Sequence, residues 1–312
     1  MKKFLARLMQ MLITVAGVSF LTFSLTYLAP GDPALMLLEA GDTIVSEETI
    51  AETRHELGLD QPFLVQYGKW AVNALQGDMG MSYSARKPVS EKLAEGFAGT
   101  LLLAAATIVL VLLISIPLGI FSAVHRNKPV DYMVRIFSFV GVSMPSFWVG
   151  LILLYIFGLK LGLFPVVSAQ INAGGIVLPA ITLAIYQSAK YTRQVRTVIL
   201  EELHQDYVVG ARARGLGESV ILWKHILPNA VLPLVTLLGM SIGWLLGGVA
   251  VVEMIFSWPG IGNMAVRAIT MRDYPLIEGF VLWTSIVYML INFLVDISYS
   301  LLDPKLKKEA QA

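Results

Sequence analysis

Residues Asp206 to Pro233 read DYVVGARARGLGESVILWKHILPNAVLP, the only long basic stretch in the second half of the chain, with hydrophobic runs on both sides. Leu200, Leu203, Tyr207 and Ala211 recur on one stripe, while Glu201, Gln205 and Arg212 lie off it, the pattern of an amphipathic helix. Gly215 is placed to stop that helix, because the residue after a helix end commonly takes a left-handed backbone that glycine adopts cheaply. A short apolar helix is expected from about Glu218, with Pro228 breaking it before the next hydrophobic run. Two short helices at right angles on the inner face of a membrane would form a socket for a soluble partner.

The spacing of this stretch resembles the cytoplasmic loop of permease subunits of ATP-binding-cassette (ABC) importers. That loop has the form E-A-A, three residues, Gly, then twelve residues and a Pro preceded by Leu. Ala211, Gly215, Leu227 and Pro228 match the frame, whereas Val209 stands in place of the Glu and Gly210 occupies the second position. Asp206, Tyr207, Ala211, Arg212, Ala213 and Gly215 resemble the version found in the dipeptide, oligopeptide and nickel branch. Asp206 and Arg212 are six residues apart, roughly 600° of helix, so they point to different sides and do not pair. The resemblance places Arg212, with Trp223 further on, toward the partner.

Composition sets the surroundings. Of 312 residues, 56% are hydrophobic and 14% charged, and the mean hydropathy is +0.70. Soluble domains carry about 25% charged residues, so this chain belongs in a bilayer. A net charge of +1 without a basic stripe carrying interleaved aromatics gives no nucleic-acid signature. With no cysteine, disulfides, thiolate metal sites and Cys catalysis are excluded.

In chain order, a basic start at Met1 to Arg7 precedes Leu8 to Leu28, about the 20 apolar residues needed to cross a membrane. This run exceeds a signal-peptide core, and Tyr27-Leu28-Ala29-Pro30 lacks a small-x-small cleavage site, so it reads as a retained helix over residues 1–29. Residues 30–97 form the longest polar region. Ser46 can cap a helix running to a stop at Gly58. Pro62 can open another, with Phe63, Tyr67, Trp70, Ala71 and Ala74 on one face and Gly77 at its end. Both are too short and polar to span, and an outer location is expected. Gly31-Asp32-Pro33, Gly58-Leu59-Asp60-Gln61-Pro62 and Gly77-Asp78-Met79-Gly80-Met81-Ser82 are similar to the outer region of the first permease of peptide and nickel importers.

Residues 98–312 form the core, with the partner loop at 200–229. Its apolar runs are about Gly99–Val124, Val134–Leu161, Ile176–Ala189, Ala230–Phe256 and Leu276–Leu302, which with the first gives six spans and both termini inside. Ile176–Ala189 is short, so its helix should continue through Tyr191–Val198. Fifteen of the 23 Lys and Arg residues then lie on inner segments, in accord with positive-inside topology. Pro117, Gly119, Pro145 and Pro179 are expected to interrupt spans. Gly239, Gly243 and Gly247 recur every four residues, serving either close helix packing or a moving gate. Glu253, near the outer end of the fifth span, is either a functional acid or an interfacial residue bonded to the Trp258–Gly262 turn. The run Ile255-Phe256-Ser257-Trp258-Pro259-Gly260 again resembles this importer branch. Asn292 and Asp296 share one face of the last span and either line a pathway or tie that helix to a neighbour.

Catalytic patterns fail on inspection. His55-Glu56-Leu57-Gly58-Leu59 lacks the second His of a zinc-protease helix. Gly141-Val142-Ser143-Met144-Pro145 lacks the last Gly of a nucleophile elbow. No G-x-x-x-x-G-K-[ST] is present, so nucleotide hydrolysis is expected on a separate polypeptide. The competing readings are a secondary transporter, which should show internal repeats and several intramembrane ions, and a membrane enzyme, which needs a cluster of His, Asp or Ser.

The resemblance implies an all-α polytopic membrane protein of the type I importer permease fold, forming half of a pathway for nickel, free or chelated, or short peptides. It also implies a second homologous permease, two cytosolic ATPases that carry the ATP and Mg, and an extracytoplasmic binding protein. The chain itself would hold no cofactor or metal and sit in a bacterial inner membrane. Gly141-Val142-Ser143-Met144-Pro145-Ser146-Phe147-Trp148 and Arg272-Asp273-Tyr274-Pro275 look closest to nickel permeases, a wording that peptide and glutathione permeases share.

Overall fold

Helices make up most of the described residues. The computed structural model describes the backbone of residues 2–39 and 46–302 and the side chains of 7–38, 46–239 and 249–294. Among these residues there is no strand, only an isolated bridge between Met81 and Pro88. The helices are α1 (Lys2–Leu28), α2 (Pro33–Glu39), α3 (Glu47–Glu56), α4 (Phe63–Leu75), α5 (Val89–Val124), α6 (Pro129–Ser143) and α7 (Ser146–Leu153). They continue as α8 (Ala173–Leu203), α9 (Asp206–Ala213), α10 (Glu218–Ile221), α11 (Leu227–Gly248), α12 (Ala250–Ile255), α13 (Ile261–Thr270) and α14 (Tyr274–Leu302). Among the described residues four helices are long and apolar enough to cross a membrane, and α6 with Ser146–Lys160, which begins with α7, makes a fifth if that bent pair counts as one span. The remaining apolar run lies in α8, which is less apolar in composition because it carries Gln187, Lys190, Arg193, Gln194 and Arg196. Packing accounts for that: α8 touches α6, α7 and α11, so much of its surface meets protein.

The chain divides into two compact units, Met1–Gly99 with Pro259–Met289, and Thr100–Trp258 with Leu290–Ala312. In the first, α4 lies against α1 through an aromatic ladder: Phe63 meets Phe20 and Phe23, and Trp70 meets Phe23 at 5.7 Å between centroids. Ser46 caps α3 by accepting from the Thr49 N–H, and Gly58 and Gly77 follow α3 and α4 with φ of +68° and +87°, in line with the sequence. In the second unit, Tyr191, Val195, Ile199, Ala230 and Leu234 form one core, and Leu103, Leu183, Val252, Phe256 and Trp258 another. Gly119 belongs to the first core's helix contact. A Cβ there would stand 2.6 Å from Val195 Cβ, so its glycine is required for close packing rather than for a break.

Several expected breaks are absent. α5 runs through Pro117 and α8 through Pro179 without interruption. Of the expected breaks, only the one at Pro145 divides its span, turning the expected Val134–Leu161 helix by 98° between α6 and α7. Pro228 does not break its helix either. The turn before it, Leu222–Ile226, is π-helical, with the Leu227 N–H donating to the Leu222 carbonyl five residues back. The wider turn relieves the clash a proline ring makes with the carbonyl four residues earlier, and Glu218–Gly239 is one apolar helix. Conversely, the helix expected to run from Leu200 to Gly215 divides at His204 and Gln205, where Gln205 is extended (φ −73°, ψ 148°). Asp206 then occupies the first turn of α9, where its charge meets the positive end of the helix dipole. The Ala230–Phe256 run is likewise two helices, α11 ending at Gly248 and α12 starting at Ala250.

Candidate functional site: the α9–α10 segment

The end of α9 closes as a Schellman motif. Gly215 N–H donates to the Arg212 carbonyl at 2.9 Å and Leu216 N–H to the Ala211 carbonyl at 3.3 Å. Gly215 has φ +78°, and a Cβ at that position would meet nothing within 4 Å. Its glycine is therefore required by backbone conformation and not by space. Arg212 Nε and Nη2 reach Glu218 at 2.7 and 3.1 Å, a two-toothed clip across the turn. That bond holds the guanidinium above its ordinary range, and with both groups exposed its energetic worth is small.

The segment has two faces. Val208, Ala211, Ile221 and Ile226 are buried and pack with Val195, Val198 and Ile199 of α8. Tyr207 adds a hydrogen bond from its hydroxyl to Glu202, and burial raises that phenol above its usual pKa. On the other face Val209, Leu216, Val220 and Trp223 are exposed, Trp223 by 66%. Asp206, Arg212 and Pro228 are exposed as well, and Leu227 is partly buried against the core. Attachment to the second unit thus runs through Tyr207 and the apolar residues, and the outward surface combines large apolar side chains with Arg214 and Lys224.

Just upstream, α8 carries a buried ion pair the sequence did not reveal. Arg196 Nε and Nη2 bond Asp131 at 2.7 and 2.9 Å, while Ser122 Oγ donates to Asp131 at 2.6 Å and the Asn127 N–H at 3.0 Å. Asp131 is fully buried. The cluster fastens the turn between α5 and α6 to α8 seven residues before the helix ends. A charge two residues into a helix that starts Lys128-Pro129, ahead of an apolar run, was the available signal.

The other candidates separate. Glu253 is fully buried and accepts from Thr100 Oγ1 at 2.5 Å; its own carbonyl accepts from the Trp258 N–H at 2.7 Å. Gly239 is buried and Asn292 exposed. Gly243 and Gly247 lie in the continuous α11 backbone. Their immediate surroundings, and the side chain of Asp296, fall outside the described residues.

In the first unit, Asp273 is fully buried and accepts from Ser82 Oγ (2.6 Å), Ser84 Oγ (2.7 Å) and the Ser84 N–H (2.9 Å). Burial, reinforced by nearby Glu278 and Asp273, raises the Tyr83 phenol well above its ordinary pKa.

The helical order and segment geometry are those of an importer permease, and comparison with known proteins agrees. Residues 115–308 match the family described as binding-protein-dependent transport system inner membrane component, and residues 1–104 match the N-terminal region of the same kind of component. The chain belongs to this family and is a permease subunit of an ABC importer, a multi-pass membrane protein. It is 38% identical to the probable D,D-dipeptide transport system permease protein DdpB of Escherichia coli K12, covering 95% of this chain and 94% of that one. It is 38% identical to the glutathione transport system permease protein GsiC of Salmonella paratyphi A, over 97% and 98%. The metal-staphylopine import system permease protein CntB of Staphylococcus aureus Mu50 is 37% identical over 99% of each. Among solved structures, the MetNI methionine ABC transporter in an inward-facing conformation aligns with TM-score 0.57 at 19% identity, over 68% of this chain and 96% of that one. An amino acid ABC transporter crystallised with histidines aligns with TM-score 0.52 at 18% identity, over 68% and 94%. These two show the fold.

Proposed function

We propose that this chain pairs with a second, related permease to form the pathway of an importer for small peptide-like solutes, metal chelates included. An extracytoplasmic binding protein delivers the solute, and two cytosolic ATPases grip one α9–α10 segment from each permease. The observation carrying this reading is the two-faced segment: Val208 and Ala211 anchor it to α8, while Val209 and Trp223 stand exposed on either side of a turn closed by Gly215. Work done by an ATPase passes through packed contacts with discrete arrangements, and the anchored face supplies them. The substrate class rests on the named relatives, which handle a D,D-dipeptide, glutathione and metal-staphylopine; nickel enters as a chelate within that class.

ATP and Mg2+ belong to the partner ATPases, and the chain acts as conduit and lever rather than catalyst. Arg212, clipped to Glu218, shapes the docking surface, while Trp223 supplies its apolar anchor. Trp223→Asp should lower the ATPase recovered with the purified permease about tenfold, consistent with the cost of losing a buried aromatic at an interface. The amount of folded permease should stay unchanged, since Trp223 is exposed in the chain alone. Full recovery of the ATPases would overturn the docking assignment. Both termini are cytoplasmic in this reading, so a cysteine at Gln76 should react with an impermeant reagent added outside intact cells and one at Ser219 should not. The opposite pattern would invert the topology.

A further inference from the structure

The run Gly141-Val142-Ser143-Met144-Pro145-Ser146, where α6 gives way to α7, lies inside a span. α6 starts behind Arg126 and Lys128 and carries Arg135 exposed on its surface. From Arg135 to Pro145 the chain advances about 15 Å, half of the ~30 Å hydrocarbon core of a bilayer. At that depth it turns by 98°. Met144 (φ −88°, ψ 128°) and Pro145 (φ −60°, ψ 133°) are extended, so helical bonding stops there. Pro145 has no N–H to return to Gly141, and the Met144 N–H is spent on the Val140 carbonyl. The Trp148 and Val149 N–H groups both go to the Pro145 carbonyl, and Ser143 Oγ donates back to Phe139. Among the described residues no donor reaches the carbonyls of Gly141, Val142, Ser143 or Met144, the N–H groups of Ser146 and Phe147 included.

Four unmet acceptors at mid-membrane cannot face lipid. Irregular backbone at that depth is tolerated only where it is buried in protein or lines a water-filled cavity. A cavity of about 280 Å3 lies against the bend, walled by Val142, Ser143, Met144, Pro145 and Ser146 with Tyr186 of α8. It is close to the lower end of the range for small-molecule sites, about 300 Å3, so it suits part of a solute rather than the whole. No charged side chain lines it. The extended strip thus offers acceptors without donors, the complement of a solute that brings N–H groups. The bend is also fastened to the helix that leads into α9. A Cβ on Gly141 would stand 2.6 Å from the Ala189 Cβ of α8, and Asp131 ties the start of α6 to Arg196.

We propose that this bend lines the solute pathway and that the carbonyls of Val142, Ser143 and Met144 accept hydrogen bonds from the peptide N–H of the passing solute. Lipid would leave every one of these acceptors unmet. A second permease laid over the bend would have to fill the cavity and supply the donors itself, whereas a solute in water does both and then leaves. The proposal rests on the import of peptide-like solutes and deepens it, because it names the group on the solute that this chain holds.

The chain has no cysteine, so Ser143→Cys and Ser146→Cys can be placed singly in the complete importer, its other subunits freed of reactive thiols, in nanodiscs. Ser146 makes no side-chain hydrogen bond among the described residues, and its replacement should leave assembly and melting temperature unchanged. A charged, membrane-impermeant methanethiosulfonate should modify both cysteines. Alanyl-alanine should slow that modification at least threefold. Alanyl-lactate, in which an ester oxygen replaces the peptide N–H, should need at least a threefold higher concentration for the same effect. No modification at either position means that lipid or the second permease covers the bend, and overturns the proposal. Modification that the peptide does not slow overturns it as well, as does equal protection by the two compounds. Uptake by the unsubstituted importer in vesicles separates the two levels. If alanyl-alanine is carried and protection fails, the site at the bend falls alone. If neither alanyl-alanine nor glutathione is carried, the substrate reading beneath it falls.

Discussion

Asp131 and Asp273 are both fully buried carboxylates, and they are held in opposite ways. Asp131, in the second unit, has a guanidinium on both oxygens, with a hydroxyl and a backbone N–H completing its shell. Asp273, in the first, has two serine hydroxyls and backbone donors, and no cation among the described residues. A charge pair concentrates its stabilisation in two residues, so removing either leaves the other charge buried and alone. A dipole shell spreads the same task over several weaker donors, and each can be lost at moderate cost. The first arrangement fixes two helices against one another. The second organises a loop around an acid.

That contrast orders the expected losses. Arg196→Met should be the most damaging change, about 3–5 kcal/mol, because it strands the Asp131 carboxylate. Thermal unfolding of the purified permease in detergent measures it, and Arg196→Met with Asp131→Leu should recover most of the loss. If the double variant is no better than the single one, the two residues do not act as a pair. Asp273→Asn should cost less, about 1.5–3 kcal/mol, the worth of hydrogen bonds to a charged group. A loss matching Arg196→Met would erase the distinction between the two sites. Ser84→Ala should cost about 1 kcal/mol, since Ser82 and the Ser84 N–H remain on the carboxylate. Close to Ser84→Ala in stability, but set apart from it in function, is Gly215→Ala. It forces a side chain into φ +78° with no steric clash, at about 1–2 kcal/mol, in an exposed turn. ATP-driven uptake should fall more than the melting temperature does. Normal uptake would show that the turn's geometry is not needed for coupling.

What the sequence discloses and what it hides follow the range of the interactions. Ser46, Gly58, Pro62, Gly77 and Gly215 act on backbone within a few residues of themselves, and each was legible. The aromatic face of α4 was legible because a helix repeats every 3.6 residues. The Asp131–Arg196 pair spans 65 positions and the Ser82–Asp273 bond 191, and no local pattern connects such residues. Prolines were the most misleading signal. Pro117, Pro179 and Pro228 look alike in sequence, yet only the surroundings decide whether a helix passes through, and Pro145 alone turned its chain. Within the α9–α10 segment the frame of Ala211, Gly215 and Pro228 was readable, whereas the clip from Arg212 to Glu218 and the division at Gln205 were not.

The π-helical turn ahead of Pro228 carries a mechanical consequence. Had that proline opened a hinge, displacement of Trp223 would have been absorbed where it was applied. Instead the helical backbone runs unbroken from Glu218 to Gly248, 4, 5 and 22 residues in succession or 31 in all, about 46 Å at 1.5 Å per residue. Tilting such a rod by about 5° swings its far end by roughly 4 Å, nearly three residues of helical rise. The wide turn thus acts as a weld, turning a small push on an exposed tryptophan into travel at the other end of the helix.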